Sequence, residues 1–120
     1  LILRHMLNHS SALDRMFHAL ADPTRRRVME QLSRGSASVS ELAKPLEMSL
    51  PSVLQHLQIL EESGLIRSEK KGRVRTCRIE PKALARAEHW IVRQREIWEQ
   101  RLDRLGAYLA EQEAKEKSKD

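Results

Sequence analysis

Gln55 and Gln58, with Ser52 and Leu54 beside them, are the side chains of this 120-residue chain best suited to reading another molecule. Glutamine presents a carbonyl and an amide in one plane and pairs with two groups of adenine in the major groove. Serine bonds to either kind of base edge, and an apolar side chain such as Leu54 packs on a thymine methyl. A second set with a different chemistry follows closely. Between Leu65 and Ile79 stand Arg67, Lys70, Lys71, Arg73, Arg75 and Arg78 against the single acid Glu69, an excess of +5 that equals the net charge of the whole chain. Charge at that density repels itself, and a phosphate lattice relieves the repulsion. Base-edge chemistry next to phosphate chemistry predicts double-stranded DNA as the partner. Each half alone has an ordinary explanation, since polar helix faces are common and a basic hairpin can be a guarded edge. Their order within so short a stretch is what makes the prediction.

Two helices and a hairpin must hold these groups. Ser38-Val39-Ser40-Glu41 is a capping box, in which the serine hydroxyl takes the Glu41 amide and the carboxylate reaches back to the cap. Leu42, Ala43 and Leu46 follow at helical spacing, and Pro45 with Glu47-Met48 ends the helix or turns the chain. Ser49 caps the next helix. There Val53, Leu57 and Leu60 lie within about 60° of one another and face a core, while Pro51, Gln55, Gln58 and Glu62 lie opposite. The acids Glu61 and Glu62 are held to the far end, clear of phosphates. Gly64 supplies the stop. Strands over Leu65–Lys70 and Val74–Ile79, joined through Lys71-Gly72-Arg73, make a basic wing. The expected fold is mainly α with a small β-hairpin, a winged helix-turn-helix. Its expected DNA contacts are Ser49, Pro51, Ser52, Leu54, Gln55, His56 and Gln58 from the helix, with Lys70, Lys71, Arg73 and Arg75 from the wing.

The flanking segments carry a different signal. Leu13, Met16, Phe17 and Leu20 mark a first helix, and Asp22 caps a second with Pro23 at its first position. Arg25, Arg26 and Arg27 then crowd that first turn with the wrong sign for the helix dipole. Either one of them pairs with Asp22 and the others are solvated, or some of them reach phosphates. From Pro81 onward Leu84, Ile91, Trp98 and Leu105 recur every seven residues, with Ala87, Leu102 and Leu109 beside them and Trp90 and Ile97 widening the stripe. That pattern predicts a helix of about 45 Å, too long an apolar face for one small domain to cover. A homodimer interface built from Leu13, Met16, Phe17, Leu84, Ile91, Trp98, Leu102, Leu105 and Leu109 is therefore expected. Two recognition helices related by a two-fold axis would read an inverted repeat in major grooves about 34 Å apart. The expected domain runs over residues 12–109, between a flexible segment 1–11 and a disordered charged tail 110–120.

Composition agrees. Hydrophobic residues make up 40% of the chain with one Phe, one Tyr and two Trp, which favours an aliphatic helical core. A pI near 9.8 suits a polyanionic partner. The single cysteine, Cys77, points to a reducing compartment and hence the cytoplasm, and to the role of a small buried hydrophobe. No apolar run approaches the roughly 18 residues of a membrane span. Leu1–His5 is too short for a secretory signal, and His5-Met6 is similar to a cloning junction ahead of a natural start at Met6. His5, His9, His18, His56 and His89 are scattered, so no metal or other cofactor is expected. The chain offers no glycine-rich phosphate loop, paired carboxylates or nucleophile with its base, which argues against an enzyme.

Asp22-Pro23-Thr24-Arg25, Ser40-Glu41-Leu42-Ala43, the run from Ser49 to Leu57 and the run from Leu60 to Ile66 resemble successive signatures of the arsenical-resistance-repressor (ArsR) family of bacterial regulators. The resemblance covers roughly Leu13 to Tyr108. It implies a homodimeric winged-helix protein that sits on an operator and blocks transcription until released, with Ser49–Ser63 as recognition helix. Many members sense metals through Cys-Val-Cys-Asp-Leu, where this chain has Ser38-Val39-Ser40-Glu41-Leu42. Serine oxygen is a poor ligand for soft ions, so the chain is similar to the subgroup without that sensor. Paired metal ligands on the last helix are also missing, since His89 has no second histidine downstream. Glu47 stands where relatives commonly have glycine. Two alternatives remain open: a sensor with a small-molecule pocket at the dimer interface near Trp90, Trp98 and the first helix, or a module that uses its long apolar helix to bind a different protein.

Overall fold

A computed structural model describes residues 2–118, with side chains from residue 11 onward. Five helices and three strands follow in the order α1 (Ile2–Leu20), α2 (Pro23–Leu32), β1 (Ala37–Ser38), α3 (Val39–Ala43), α4 (Leu50–Glu62), β2 (Ile66–Lys71), β3 (Val74–Ile79) and α5 (Pro81–Ser118), with a 3-10 turn over Lys44–Leu46. The chain divides into two compact units, Leu1–Ala87 and Glu88–Asp120. The expectation of flexibility for residues 1–11 falls almost wholly on residues whose side chains are not described.

In the first unit each helix starts where its cap is. Asp22 Oδ2 accepts from the Arg25 amide at 3.0 Å with Pro23 in the first turn of α2. The capping box at Ser38 is closed in both directions, the Glu41 amide donating to Ser38 Oγ at 3.2 Å and the Ser38 amide to Glu41 Oε1 at 3.3 Å. α4 ends in a Schellman motif. The Leu65 amide donates to the Leu60 carbonyl and the Gly64 amide to that of Glu61, with Gly64 at φ 81°. The core gathers Met16, Ala19, Val28, Ala37, Leu42, Leu46, Val53, Leu57, Leu60, Leu65, Ile66 and Cys77 from every element of the unit, joined by Ala83 and Ala87 from the start of α5.

Three differences from the sequence reading have physical causes. The sheet has three strands in the order β1-β3-β2, because Ala37 and Ser38 pair antiparallel with Cys77 and Thr76. Ser38 thus serves both as last residue of β1 and as cap of α3. The hairpin is one residue tighter at its turn than expected, with Lys71 opposite Val74 and a two-residue loop. Gly72 there has φ 61° while Arg73 stays at negative φ, the pattern of a type II′ turn. α5 continues helical to Ser118, past Ala110 where disorder was expected. Ala, Glu, Gln and Lys are strong helix formers even without apolar residues, and a Glu113–Lys117 pair at 3.8 Å lies one turn apart.

Glu47 closes the turn between the 3-10 segment and α4 in the left-handed region, at φ 51° and ψ 40°. It is the one non-glycine residue with positive φ among those described. Relief of that conformation in Glu47→Gly should raise stability by about 0.5–1 kcal/mol in urea denaturation, after the extra backbone entropy of glycine is counted. A loss of stability instead would show that Glu47 is unstrained there.

Candidate nucleic-acid interface

α4 divides its residues as its periodicity requires. Val53 and Leu60 are fully buried and Leu57 nearly so, which turns Pro51, Leu54, Gln55 and Gln58 outward as exposed groups. Ser49 caps the helix, its Oγ accepting from the Ser52 amide at 3.4 Å and lying 2.9 Å from Ser52 Oγ. Gln58 is already engaged, its amide donating to Glu62 Oε1 at 3.0 Å, so Gln55 is the more available of the two. Glu61 is held back by a 2.7 Å bond from the Ser68 hydroxyl, which ties the end of α4 to β2.

Two of the expected site residues sit further inward than the exposed ones. His56 is partly exposed, its Nδ1 lying 3.3 Å from Arg25 Nη1 and 3.8 Å from Asp22 Oδ2, so it packs against α2. Met16 is 2% exposed and belongs to the core of its own protomer, which leaves it no surface to offer a second copy. Leu13, Phe17 and Leu84 are partly buried.

The arginine cluster resolves into three structural ties. Arg25 is buried, with Nε donating to the Ala19 carbonyl at 2.7 Å and Nη2 to that of His18 at 3.1 Å. Its guanidinium therefore caps the C-terminal end of α1, where a cation has the favourable sign. Arg26 and Arg27 donate to the Leu20 and Pro45 carbonyls. The Arg25 amide bonded to Asp22 holds that carboxyl below its ordinary range, and the nearby charges of Arg25 and His56 act in the same direction.

Lys70, Lys71, Arg73 and Arg75 are exposed along the wing. Register places Lys70 opposite Arg75 and Arg67 opposite Arg78. Like charges directly across a ladder cost stability, and one of these pairs is relieved only in part by Arg67 bonding to Glu80 at 2.8 Å. Between the wing and the first turn of α4 runs an open cleft of about 540 Å³ whose lining includes Ser38, Ser40, Leu50, Leu54, Lys70, Arg73, Val74 and Arg75 and no acidic residue. Leu50 and Val74 stand there beside Leu54, the one of these three among the contacts expected from the sequence. Cys77 lies at the other end of β3, 1% exposed, and burial pushes its thiol up, with the Glu61 charge reinforcing the shift. Among the described residues no three His, Cys, Asp or Glu side chains converge, and no helix is long and apolar enough to cross a membrane.

This arrangement is shared with known proteins. Residues 20–69 match a family described as a helix-turn-helix domain. The chain is 42% identical over 72 residues to the HTH-type transcriptional regulator Rv2034 of Mycobacterium tuberculosis, a stretch covering 60% of this chain and 67% of the relative. It is 33% identical over 60 residues to the transcriptional repressor SdpR of Bacillus subtilis, covering 50% and 67%. A crystal structure of an ArsR family transcriptional regulator superposes with a TM-score of 0.72 at 54% identity, over 75% of this chain and 93% of the other. An ArsR-like regulator from Rhodococcus sp. RHA1 gives 0.70 at 31% identity, over 82% and 92%. A capped helix-turn-helix, a basic wing and relatives of this similarity along nearly their whole solved length have one reading: the chain belongs to the ArsR family of winged helix-turn-helix transcriptional regulators.

Proposed function

We propose that this chain is a homodimeric repressor that reads an inverted-repeat operator in double-stranded DNA, without the thiolate metal sensor of its better-known relatives. The observation that carries the reading is the juxtaposition at α4. Exposed Gln55 and Leu54 stand beside a cleft rimmed by Lys70, Arg73 and Arg75, a match to base edges flanked by phosphates. Pairing of copies draws support from the second unit, where Ile91, Trp98, Leu102, Leu105 and Leu109 are 52–62% exposed along one helix. Repression is the role named for the relative SdpR. On this reading the protein performs no covalent chemistry and works in the cytoplasm. Ser38 and Ser40, standing where thiolates would be, leave soft metals without their ligands.

A paired substitution tests the division of labour. Gln55→Ala should lose about 1–3 kcal/mol of discrimination at particular base pairs while leaving random-sequence binding intact. Arg73→Ala should weaken every sequence alike and lower the slope of log K against log salt by about one. Anisotropy titrations over a range of ionic strength measure both, and the reverse pattern would mean that helix and wing have exchanged roles.

A second reading, a sensor for a small organic effector, draws on a cavity of about 480 Å³ within the first unit, where Met16, Ile66 and Ala83 form apolar walls beside Arg67, Glu80 and Arg86. It joins the end of α4 to the root of the wing, where occupancy would be felt by both. Titrating organic acids, and separately zinc and arsenite, into the binding assay separates this sensor from a metal-responsive one.

A further inference from the structure

Among the described residues up to Ala87, the large apolar side chains left exposed are Leu50, Leu54 and Val74, at 54%, 40% and 53%. They come from two elements and line one cleft. Leu50 and Leu54 are one turn apart on α4 and share a face. Val74 opens β3 on the opposite side of the cleft. Three exposed apolar groups gathered at one place mark a contact surface. Lys70, Arg73 and Arg75 around them set the sign of what is contacted.

Resting on the reading of this face as a DNA interface, we infer that Leu50, Leu54 and Val74 form a single apolar patch that reads thymine C5-methyl groups, so that the chain selects operators by methyl placement as well as by hydrogen bonding. On unmodified DNA the thymine methyl is the one apolar group on the major-groove edge of the bases. The N-terminal turns of a recognition helix are the part that approaches those edges. A patch two side chains wide on α4, extended across the cleft by the wing, matches successive thymines rather than one.

The test uses the full chain and a duplex recovered by selection from a random library. Each thymine is replaced in turn by deoxyuridine, which removes only the methyl. At positions facing the patch, anisotropy titration should show about a three- to five-fold loss per methyl. Leu50→Ala and Leu54→Ala should bring that ratio to about one at their own positions with an unchanged circular dichroism spectrum, both side chains being exposed. Deoxyuridine tolerated everywhere, with the selected duplex still preferred, overturns the methyl contact and leaves the DNA interface standing. Leucine variants that weaken all sequences equally also overturn it, by placing the patch on deoxyribose. A gain from 5-methylcytosine without any loss from deoxyuridine overturns the assignment to thymine. Failure to select any sequence strikes the interface itself.

Discussion

Arg25→Ala should cost the fold about 3 kcal/mol, although its position in the first turn of α2 has the wrong sign for that helix's dipole. The guanidinium donates to two main-chain carbonyls at the end of α1, Ala19 at 2.7 Å and His18 at 3.1 Å, and contacts His56 on α4 at 3.3 Å. Charge-assisted bonds contribute about 1.5–3 kcal/mol each, and removing the donor leaves buried acceptors without a partner. The sum is less than additive because the carbonyls can recruit water once the side chain is gone. Arg25→Lys should recover less than half of the loss, since one ammonium cannot span both carbonyls in a plane. Urea denaturation followed by circular dichroism gives both numbers. A loss below about 1 kcal/mol would show that water replaces the guanidinium, and that α1, α2 and α4 are held by their apolar contacts alone.

The second large effect is expected on the exposed stripe of α5. Trp98 and Leu105 are 62% and 54% exposed and lie in the second unit, outside the core of the first. Trp98→Asp with Leu105→Asp places like charges in the middle of an apolar seam, so a dimer held by that seam should become a monomer in sedimentation. Affinity for a two-half-site operator should then fall about 100-fold or more, because the second half-site is no longer bound at the high effective concentration set by its partner. Binding to an isolated half-site should be unchanged. A monomeric parent protein, or a variant that keeps full operator affinity, would assign the stripe to a different partner.

The features legible in the amino-acid sequence are those held by local rules. Caps at Asp22, Ser38 and Ser49, the stop at Gly64 and the buried stripe Val53, Leu57 and Leu60 depend on neighbours a few residues away, and all stand as expected. Partners distant along the chain are harder to see. β1 is two residues long, too short for any alternation, and exists because Ala37 and Ser38 meet Cys77 and Thr76 about forty positions later. Arg25 looks misplaced in the sequence because its charge opposes the dipole of α2. The helix end it serves is that of α1, six and seven residues back. The 3-4 spacing of Leu13, Met16 and Phe17 reveals an amphipathic helix without saying which edge of the stripe turns inward, and the core takes Met16 and Ala19. The outward patch at Leu50 and Val74 is illegible for a related reason. Their spacing alone does not separate an exposed apolar residue from a buried one.

Ser38 belongs at once to the sheet that carries the wing and to the cap that starts the helix-turn-helix. A displacement of β3 therefore bears directly on the cap of α3. A change that displaces this serine disturbs the pairing of the sheet and the start of the helix-turn-helix together.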